Sequence, residues 1–402
     1  MLPILSKPKK ICLATLISMA VLLFCRKPDT FLNPQFWAED GTVFFKDYIC
    51  YGGFKSITIP HAGYLHLVPR LIACIASLFP LSMMPTIYNY SAFAAMLLVG
   101  GAIFSSRCSI PFKPLLALSM ILVPHYGEVF MNITNIQWYL CFLPLILLSE
   151  EPPVKFYQYL SDYLIIIFCG LTGPLMLFLL PLFIAKCFTR KSLHNYGILL
   201  TVLLCASIQG WYIFNTTNIS EMGGSLGQIC SDINTWANLL GVRLFGQLFL
   251  ENKILAMINP IILAVFAMMM PIVLIWLASS RKQLYLVGLF LFFGIAIALS
   301  TLYKFGPSPE IVAYAFTNGE RYFYIPYVMV MWSLTICLNS PNLIKRLIVP
   351  VLLLMILVAS AHHFKSQPFV DYHWKQYCGE IEKGNPIHIP INPSGVFINL
   401  GF

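Results

Sequence analysis

Long apolar stretches alternate with short charged turns along most of this 402-residue chain. Runs of about 15 to 23 apolar residues recur from Ile11 to Ser360, and about 20 helical residues are enough to cross the hydrocarbon core of a bilayer. The pattern therefore predicts an all-α polytopic membrane protein, a bundle of about 9 to 11 transmembrane helices joined by outer and inner loops.

The longest runs predict helices at about 11–25, 84–105, 114–130, 137–149, 196–214, 256–278, 284–303, 322–338 and 346–360. Two shorter runs, at about 160–169 and 175–189, flank the sequence Gly-Leu-Thr-Gly-Pro at 170–174. Glycine and proline interrupt helices, so these two runs form either two short crossings or one re-entrant hairpin.

The distribution of charge predicts the orientation. Only 10% of the residues are charged, 58% are hydrophobic, and the formal net charge is +9. Lysines and arginines cluster in short turns between apolar runs, so the charge indicates topology rather than nucleic-acid binding. With Lys7, Lys9 and Lys10 inside, the N-terminus is cytoplasmic, the C-terminus is periplasmic and most acidic residues lie outside.

The chain is expected to form a membrane domain, residues 1–360, and a periplasmic tail, residues 361–402. The membrane domain has two long outer loops, at about 26–83 and 215–255. A tail of about 42 residues is too small to fold alone and is expected to pack on the other outer loops.

Two adjacent carboxylates, Glu39 and Asp40, stand in the first outer loop, in the sequence Phe-Trp-Ala-Glu-Asp-Gly at 36–41. In the plainer interpretation Asp40 is the N-cap of an interfacial helix and Glu39 is a solvated acid. In the functional interpretation, one carboxylate is a general base that takes a proton from an acceptor hydroxyl at the membrane surface.

A phosphate-bearing donor would also need cations on this side. Arg321 stands at the outer mouth of a predicted helix, and arginine binds phosphate through two charge-assisted hydrogen bonds. Lys304 and Arg70 are weaker candidates of the same kind. The alternatives are that Arg321 anchors the chain at the membrane interface or pairs with Glu320.

Other chemistries find little support. His61 and His66 lack metal-ligand spacing, so no metal is predicted. The sequence holds no nucleotide-binding glycine motif or Ser-His-Asp pattern, and no cofactor is expected. An oxidising periplasm would permit one disulfide among the cysteines outside the apolar runs, Cys50, Cys230 and Cys378.

Several patches resemble a known family. They are the acidic pair after the first apolar run, the sequence at 60–70, the break at 170–174, the Leu-Leu-Pro-Leu at 179–182 and the tail sequence at 389–393. In this order they resemble polyprenyl-phosphate-sugar-dependent glycosyltransferases of the GT-C class. More narrowly, the size of the chain, the motif at 37–41 and the tail sequence at 389–393 resemble bacterial and phage-encoded serotype-converting O-antigen glucosyltransferases.

The resemblance implies a multi-pass enzyme of the bacterial inner membrane. It would move a hexose, expected to be glucose, from undecaprenyl-phosphate-sugar to an O-antigen sugar at the periplasmic face, with inversion of configuration. A donor synthase and a flippase would supply the donor, membrane lipids would surround the bundle, and nucleic acid is not a partner.

The resemblance also implies residue roles. The acid of the first loop is the catalytic base; Asp40 is favoured, with Glu39 orienting the acceptor or exchanging roles with it. The donor phosphate would be bound by Arg321, Lys304 and Arg70. Sugar-facing surfaces would come from Trp37, His61, Tyr64, Glu128 and Trp138, whose aromatic members serve equally well as interfacial anchors.

Two other functions stay open at this point. A transporter or flippase for lipid-linked sugar would keep ionisable residues along a midplane pathway, whereas Asp162 lies near the inner end of its predicted span. An O-antigen polymerase would share the topology and the outer basic residues, and the early acidic pair argues against it.

Overall fold

The computed structural model describes residues 6–216, 232–305, 313–314 and 319–401. The protein is about 70% helical with almost no sheet. Five of the described helices are long and apolar enough to cross a membrane, namely Lys7–Arg26, Leu193–Asn215, Pro260–Leu277, Arg281–Phe305 and Leu343–His362. Part of the second predicted outer loop, with Cys230, lies outside the described residues, as do Asn318 and the first five residues.

The remaining helices of ten or more residues are Leu67–Ala76, Met84–Ala102, Lys113–Leu122, Phe156–Gly170, Leu180–Thr189 and Arg321–Cys337. The shorter helical segments are Asp29–Leu32, Asp40–Phe45, Lys46–Tyr51, Gly53–Ser56, Leu81–Met83, Gln137–Leu140, Phe142–Ser149, Pro174–Leu179, Ile233–Ala237, Asn238–Gly246, Gln247–Phe249, Asn252–Leu255, Trp374–Gln376 and Cys378–Glu382. The helix at Leu193 continues to Thr216. The longer helices overlap the apolar runs that predict them, with three departures. The predicted helix at 137–149 is divided at Cys141, and the run at 175–189 begins with the 3-10 segment Pro174–Leu179. The third departure is at 114–130.

The helix predicted at about 114–130 is wrong in its second half, because the helix Lys113–Leu122 ends there. Val123 is extended, with a ψ of 141°, as expected for a residue that precedes a proline. Positive φ angles of 106° at Gly127 and 64° at Met131 keep the following chain irregular. Residues 123–136 are called the bridging loop below.

The bridging loop is largely buried although it is not helical, so its carbonyl groups need hydrogen-bond donors from other segments. Arg26, fully buried at the end of the first helix, donates to the carbonyl oxygens of Val123 and His125 in the loop and of Ile121 just before it. Its neighbour Lys27 donates to the carbonyl oxygens of Gly127 and Phe130, at 3.4 and 3.0 Å. Two side chains from the first helix and the residue after it thus hold the loop in place.

The tail forms the small sheet. The strands Ile387–Ile391 and Val396–Leu400 pair antiparallel, with Ile389 opposite Ile398. The apolar side chains of this hairpin pack in one cluster with aromatic residues of the first loop, and the buried members include Phe36, Phe44, Phe45, Ile389, Ile391, Ile398 and Leu400. The expectation that the tail packs on another loop is therefore confirmed. Phe44 and Phe45 belong to the helical segment Asp40–Phe45, and the tail hairpin packs on them.

A cluster of charged side chains lies at the end of the bundle opposite to residues 36–45. Arg107 donates two hydrogen bonds of 2.8 Å to the two carboxylate oxygens of Asp162 and lies 3.3 Å from Glu150. His194 Nε2 lies 3.0 Å from the same Asp162 carboxylate. This group, called the charge cluster below, ties the helix Phe156–Gly170 to its neighbours.

Candidate functional site

The acid-pair segment, residues 36–45, is held between the tail and the rest of the bundle. The backbone N–H of Ala38 donates to the carbonyl oxygen of Asn392, and the N–H of Asn392 donates to the carbonyl of Phe36 at 3.3 Å. At Gly41, a Cβ atom would lie 2.7 Å from Ile398 Cδ1 and 2.8 Å from an Ile391 methyl. The lack of a side chain at residue 41 therefore lets the tail approach the backbone next to the two acids.

Asp40 is fully buried and bonded to the bridging loop. Its Oδ1 accepts hydrogen bonds from the Thr134 hydroxyl at 2.7 Å and the Thr134 N–H at 2.9 Å, and Oδ2 accepts a longer one of 3.4 Å from Ile133 N–H. Burial raises the pKa of Asp40 to about 7, although the bonds from Thr134 act to lower it. The interpretation of Asp40 as the N-cap of its own helix is wrong, because the helix begins at Asp40 and its carboxylate reaches another segment.

Glu39 differs from its neighbour. It is partly exposed, and its Oε2 atom is buried yet has no hydrogen-bond partner among the described residues. A buried carboxylate oxygen without a donor is costly, so such an atom indicates a place where a ligand or water supplies the missing hydrogen bond.

The charge of Glu39 acts on three other residues that the sequence singles out. Burial lowers the pKa of His61, and Glu39 opposes this effect. Burial raises the pKa of Tyr64, and Glu39 adds to that effect. Burial acts to lower the pKa of Arg321, but the carboxylates of Glu128 and Glu39 raise it above its ordinary value. Glu39 therefore lies within electrostatic range of a histidine, a tyrosine and the predicted phosphate-binding arginine.

Arg321 begins the helix Arg321–Cys337 and is fixed by Glu128 of the bridging loop. Its guanidinium donates to Glu128 Oε1 at 3.0 Å, and its backbone N–H donates to Oε2 at 3.1 Å. Its alternative partner Glu320 instead accepts from the Tyr126 N–H at 2.6 Å and lies 3.3 Å from His125. The predicted pair of Arg321 with Glu320 is thus wrong.

An aromatic wall stands beside Arg321. The guanidinium lies 5.4 Å from the ring centre of Tyr322, and the Lys304 ammonium lies 4.8 Å from the same ring and donates to its hydroxyl. Trp138 packs edge-on against Tyr322, with ring centres 5.3 Å apart. The Trp138 Nε1–H is buried and has no hydrogen-bond acceptor in the described part of the chain. This part of the site therefore contains two cations, two aromatic rings and an indole N–H that has no acceptor among the described residues.

A second wall comes from the sequence at 60–70. Tyr64 packs on His66 with ring centres 4.6 Å apart, and its hydroxyl lies 3.5 Å from Gln137 Nε2. The same stretch pairs with the break at 170–174, since the Gly173 N–H donates to the Leu65 carbonyl at 2.9 Å. The structure thus brings together two patches on which the family resemblance rests.

Arg70 and Trp37 have other surroundings. The Arg70 side chain is only 1% exposed and lies 2.9 Å from the Asp47 carboxylate, whereas that of Arg321 is 27% exposed. Trp37 stacks on Phe369 of the tail, and Lys27 lies 5.0 Å from its ring centre. Arg321 and Lys304 therefore keep more accessible charge than Arg70, and one face of Trp37 is already covered.

Sequence reasoning missed Lys27, Thr134 and Gln137. Burial lowers the pKa of Lys27 to about 7, against the raising effect of Asp40. One sequence feature marks Lys27: it follows Arg26 at the far end of the first helix from Lys7, Lys9 and Lys10, against the predicted charge asymmetry. Thr134 stands in Asn-Ile-Thr at 132–134, which matches the short glycosylation acceptor pattern but does not indicate a bond to Asp40, and Gln137 carries no comparable feature. Cys50 and Cys378 are free thiols.

No protein-family model, curated protein or solved structure matches this chain. The site must therefore be interpreted from its own chemistry. Within the described ranges, no group of three or more His, Cys, Asp or Glu side chains has the geometry to hold a metal ion. What the site does offer is a carboxylate with a free oxygen, two accessible cations and polar aromatic walls.

Proposed function

We propose that the protein is an inverting glycosyltransferase that moves a hexose from a polyprenyl-phosphate donor to a glycan acceptor. The observation that carries the proposal is the buried Glu39 Oε2 atom, which has no hydrogen-bond partner among the described residues. Its neighbour Asp40 is bonded to Thr134 of the same bridging loop whose Glu128 binds Arg321. A base and a phosphate-binding cation are the two charged groups that such a displacement needs.

In the proposed reaction Glu39 is the base. Its carboxylate takes the proton of the acceptor hydroxyl while that oxygen attacks the anomeric carbon from the face opposite the phosphate. The bond between the anomeric carbon and the phosphate oxygen breaks, and the lipid phosphate leaves with both bonding electrons. Arg321 and Lys304 stabilise the negative charge that develops there, because guanidinium and ammonium groups donate charge-assisted hydrogen bonds to phosphate.

Asp40 is then a supporting acid rather than the base. Both of its oxygens accept hydrogen bonds from the bridging loop, and the side chain is fully buried, so an acceptor hydroxyl has no route to it. This reverses the preference that the sequence gives within the pair. His61, Tyr64 and Trp138 remain the side chains proposed to face the sugars, and Gln137 joins them.

The apolar part of the donor is supported by a groove beside the same helix. Side chains from the helices Arg281–Phe305 and Arg321–Cys337 line this groove together with Pro271 and residues of 244–249. Its lining from the helix Arg321–Cys337 begins at Pro326, about one turn beyond Arg321. A lipid with its phosphate at Arg321 would lay its chain along this apolar surface.

The cellular setting belongs to the same proposal. The protein would lie in a bacterial inner membrane with about 9 to 11 crossings, its N-terminus cytoplasmic and its acid-pair segment periplasmic. The donor would be undecaprenyl-phosphate glucose, supplied by a synthase and a flippase, and the acceptor an O-antigen sugar. The bundle would have the GT-C architecture.

The proposal is tested with purified protein in vesicles, undecaprenyl-phosphate glucose and lipid-linked O-antigen. We expect one hexose per repeat, with an anomeric configuration opposite to that of the donor. Retention of configuration would contradict the single displacement. Movement of the donor across the vesicle without transfer would identify a transporter, and longer chains without added hexose would identify a polymerase.

A further inference from the structure

The two charged groups of the proposed reaction lie on segments far apart in the sequence, so something must set the distance between them. Glu39 belongs to the acid-pair segment, and Arg321 begins a helix much later in the chain. The bridging loop contacts both. It is largely buried and irregular, which makes it an unusual segment to serve only as a connection.

One end of the loop is hydrogen-bonded to the acid pair. Thr134 donates twice to Asp40 Oδ1, through its hydroxyl at 2.7 Å and its N–H at 2.9 Å. Asp40 is the residue next to Glu39, and it is fully buried. A shift of Thr134 would therefore move the backbone from which Glu39 projects.

At the other end the loop holds the cation. Glu128 accepts from both the side chain and the backbone N–H of Arg321, at 3.0 and 3.1 Å. This two-point contact fixes the start of the helix as well as the guanidinium. Hydrogen bonds between charged partners are shorter and stronger than neutral ones.

Between these ends the loop is braced by its own amides. Asn132 Nδ2 and Asn135 Nδ2 both donate to the Glu128 carbonyl oxygen, at 2.8 and 2.9 Å, and the Asn135 N–H donates to Asn132 Oδ1 at 2.9 Å. Both asparagines are buried. The interval from Glu128 to Thr134 therefore behaves as one rigid piece.

We propose that Thr134 is a positioning residue of the transferase: through Asp40 on one side and the Glu128–Arg321 contact on the other, the bridging loop sets the distance between the base and the phosphate-binding cation. This inference rests on the proposed function. It assigns Thr134 no contact with substrate. Its expected effect is on the chemical step, because a displacement of about 1 Å between reacting groups can cost on the order of 100-fold in rate.

The test compares Thr134→Val, which keeps the shape and removes the hydroxyl, with Thr134→Ser, which keeps the hydroxyl. We expect Thr134→Val to lower kcat about 10- to 100-fold with KM nearly unchanged, and Thr134→Ser to retain most of the rate. Thr335→Val is the matched control, since Thr335 is equally buried but its hydroxyl bonds only within its own helix. If Thr134→Val does not fold, Thr134→Cys replaces it, because a thiol is a weaker donor.

A second measurement needs no substrate. The infrared carboxyl band that disappears in Asp40→Asn is followed against pH in the full-length protein. Without the Thr134 hydroxyl bond the Asp40 carboxyl should hold its proton to higher pH, and Thr134→Ser should restore the original midpoint. This readout measures the Thr134–Asp40 hydrogen bond independently of the reaction. If no variant transfers sugar, the proposed function fails, but the hydrogen bond can still be measured.

Three results would overturn the inference. The first is a wild-type kcat for Thr134→Val, and the second is a Thr134→Ser variant as slow as Thr134→Val. The third is an Asp40 band that titrates identically in both variants.

Discussion

Asp162 and Glu39, one carboxylate at each end of the molecule, are bonded differently. In the charge cluster, both oxygens of Asp162 are bonded, by Arg107 at 2.8 Å and by His194 at 3.0 Å. At the acid-pair end, an oxygen of Glu39 and the indole N–H of Trp138 are buried without a partner in the described part of the protein. Matched charges stabilise the fold, whereas unmatched ones indicate binding of something else. The comparison predicts that changes at the two ends have separable effects on activity and stability.

The largest effect is expected at Glu39. Glu39→Gln keeps the shape but cannot accept the proton, so the transfer rate should fall about 100- to 10,000-fold. Stability should not fall, because no hydrogen bond to the lost oxygen is broken. Transfer assays and thermal unfolding in detergent measure the two quantities, with exposed Glu382→Gln as the control. A Glu39→Gln variant with full activity would remove Glu39 from the mechanism.

Asp162→Asn should lower the stability of the protein and leave its activity nearly unchanged. Removing one partner leaves Arg107 underneutralised in a mostly buried site, so we expect a loss of about 3 kcal/mol in the free energy of unfolding. The rate of the folded fraction should stay close to wild type. Glu151→Gln is the matched control, because Glu151 and Arg190 form an exposed pair at 3.4 Å and such pairs contribute less than about 1 kcal/mol. Equal losses in the free energy of unfolding for Asp162→Asn and Glu151→Gln would contradict the predicted difference between a buried and an exposed ion pair.

Asp40 links charge to stability through pH. Burial raises its pKa to about 7 in the folded protein, from an ordinary 3.8, so the folded state holds a proton that the unfolded chain has released. The stabilisation is complete below about pH 4 and is lost as the pH rises through about 7. Between pH 5 and 7 the loss is on the order of 2 kcal/mol. Asp40→Asn should flatten this slope in unfolding measured at several pH values, and an unchanged slope would assign it to another group.

The smallest effect is expected at Asn392, which makes hydrogen bonds between uncharged groups at the acid-pair end. Its side chain exchanges two hydrogen bonds of 3.0 Å with the backbone of Val370. Asn392→Ala should lower the free energy of unfolding by about 1 kcal/mol. Asn385→Ala, at an exposed site, is the control. A loss as large as that of Asp162→Asn would mean that neutral bonds and charges contribute alike at the two ends.

The five long apolar helices were predictable because each corresponds to one continuous apolar run. The error at 114–130 has a local cause, since Val123 and Pro124 are apolar and extend the run while proline ends the helix. Hydropathy alone does not show that the helix ends before the apolar run does. The break at 170–174, by contrast, carries its glycines and proline openly in the sequence.

The contacts of the candidate residues were not predictable from the sequence. Glu39, His61, Tyr64 and Arg321 were selected individually, and the structure brings them within electrostatic range of one another. The different surroundings of the two acids were not predictable, because Asp40 is bonded by Thr134, a residue that follows it by 94 positions. Neighbouring acids look alike until their partners are known.

The covering of residues 36–45 by the tail hairpin has a consequence for biosynthesis. The first loop emerges from the ribosome early, whereas the strands that pack on Phe44 and Gly41 are made after all five long apolar helices. Until then the aromatic side chains of the first loop lack the partners that bury them. The candidate site is therefore completed only at a late stage of synthesis, and a partly inserted chain would lack a finished centre.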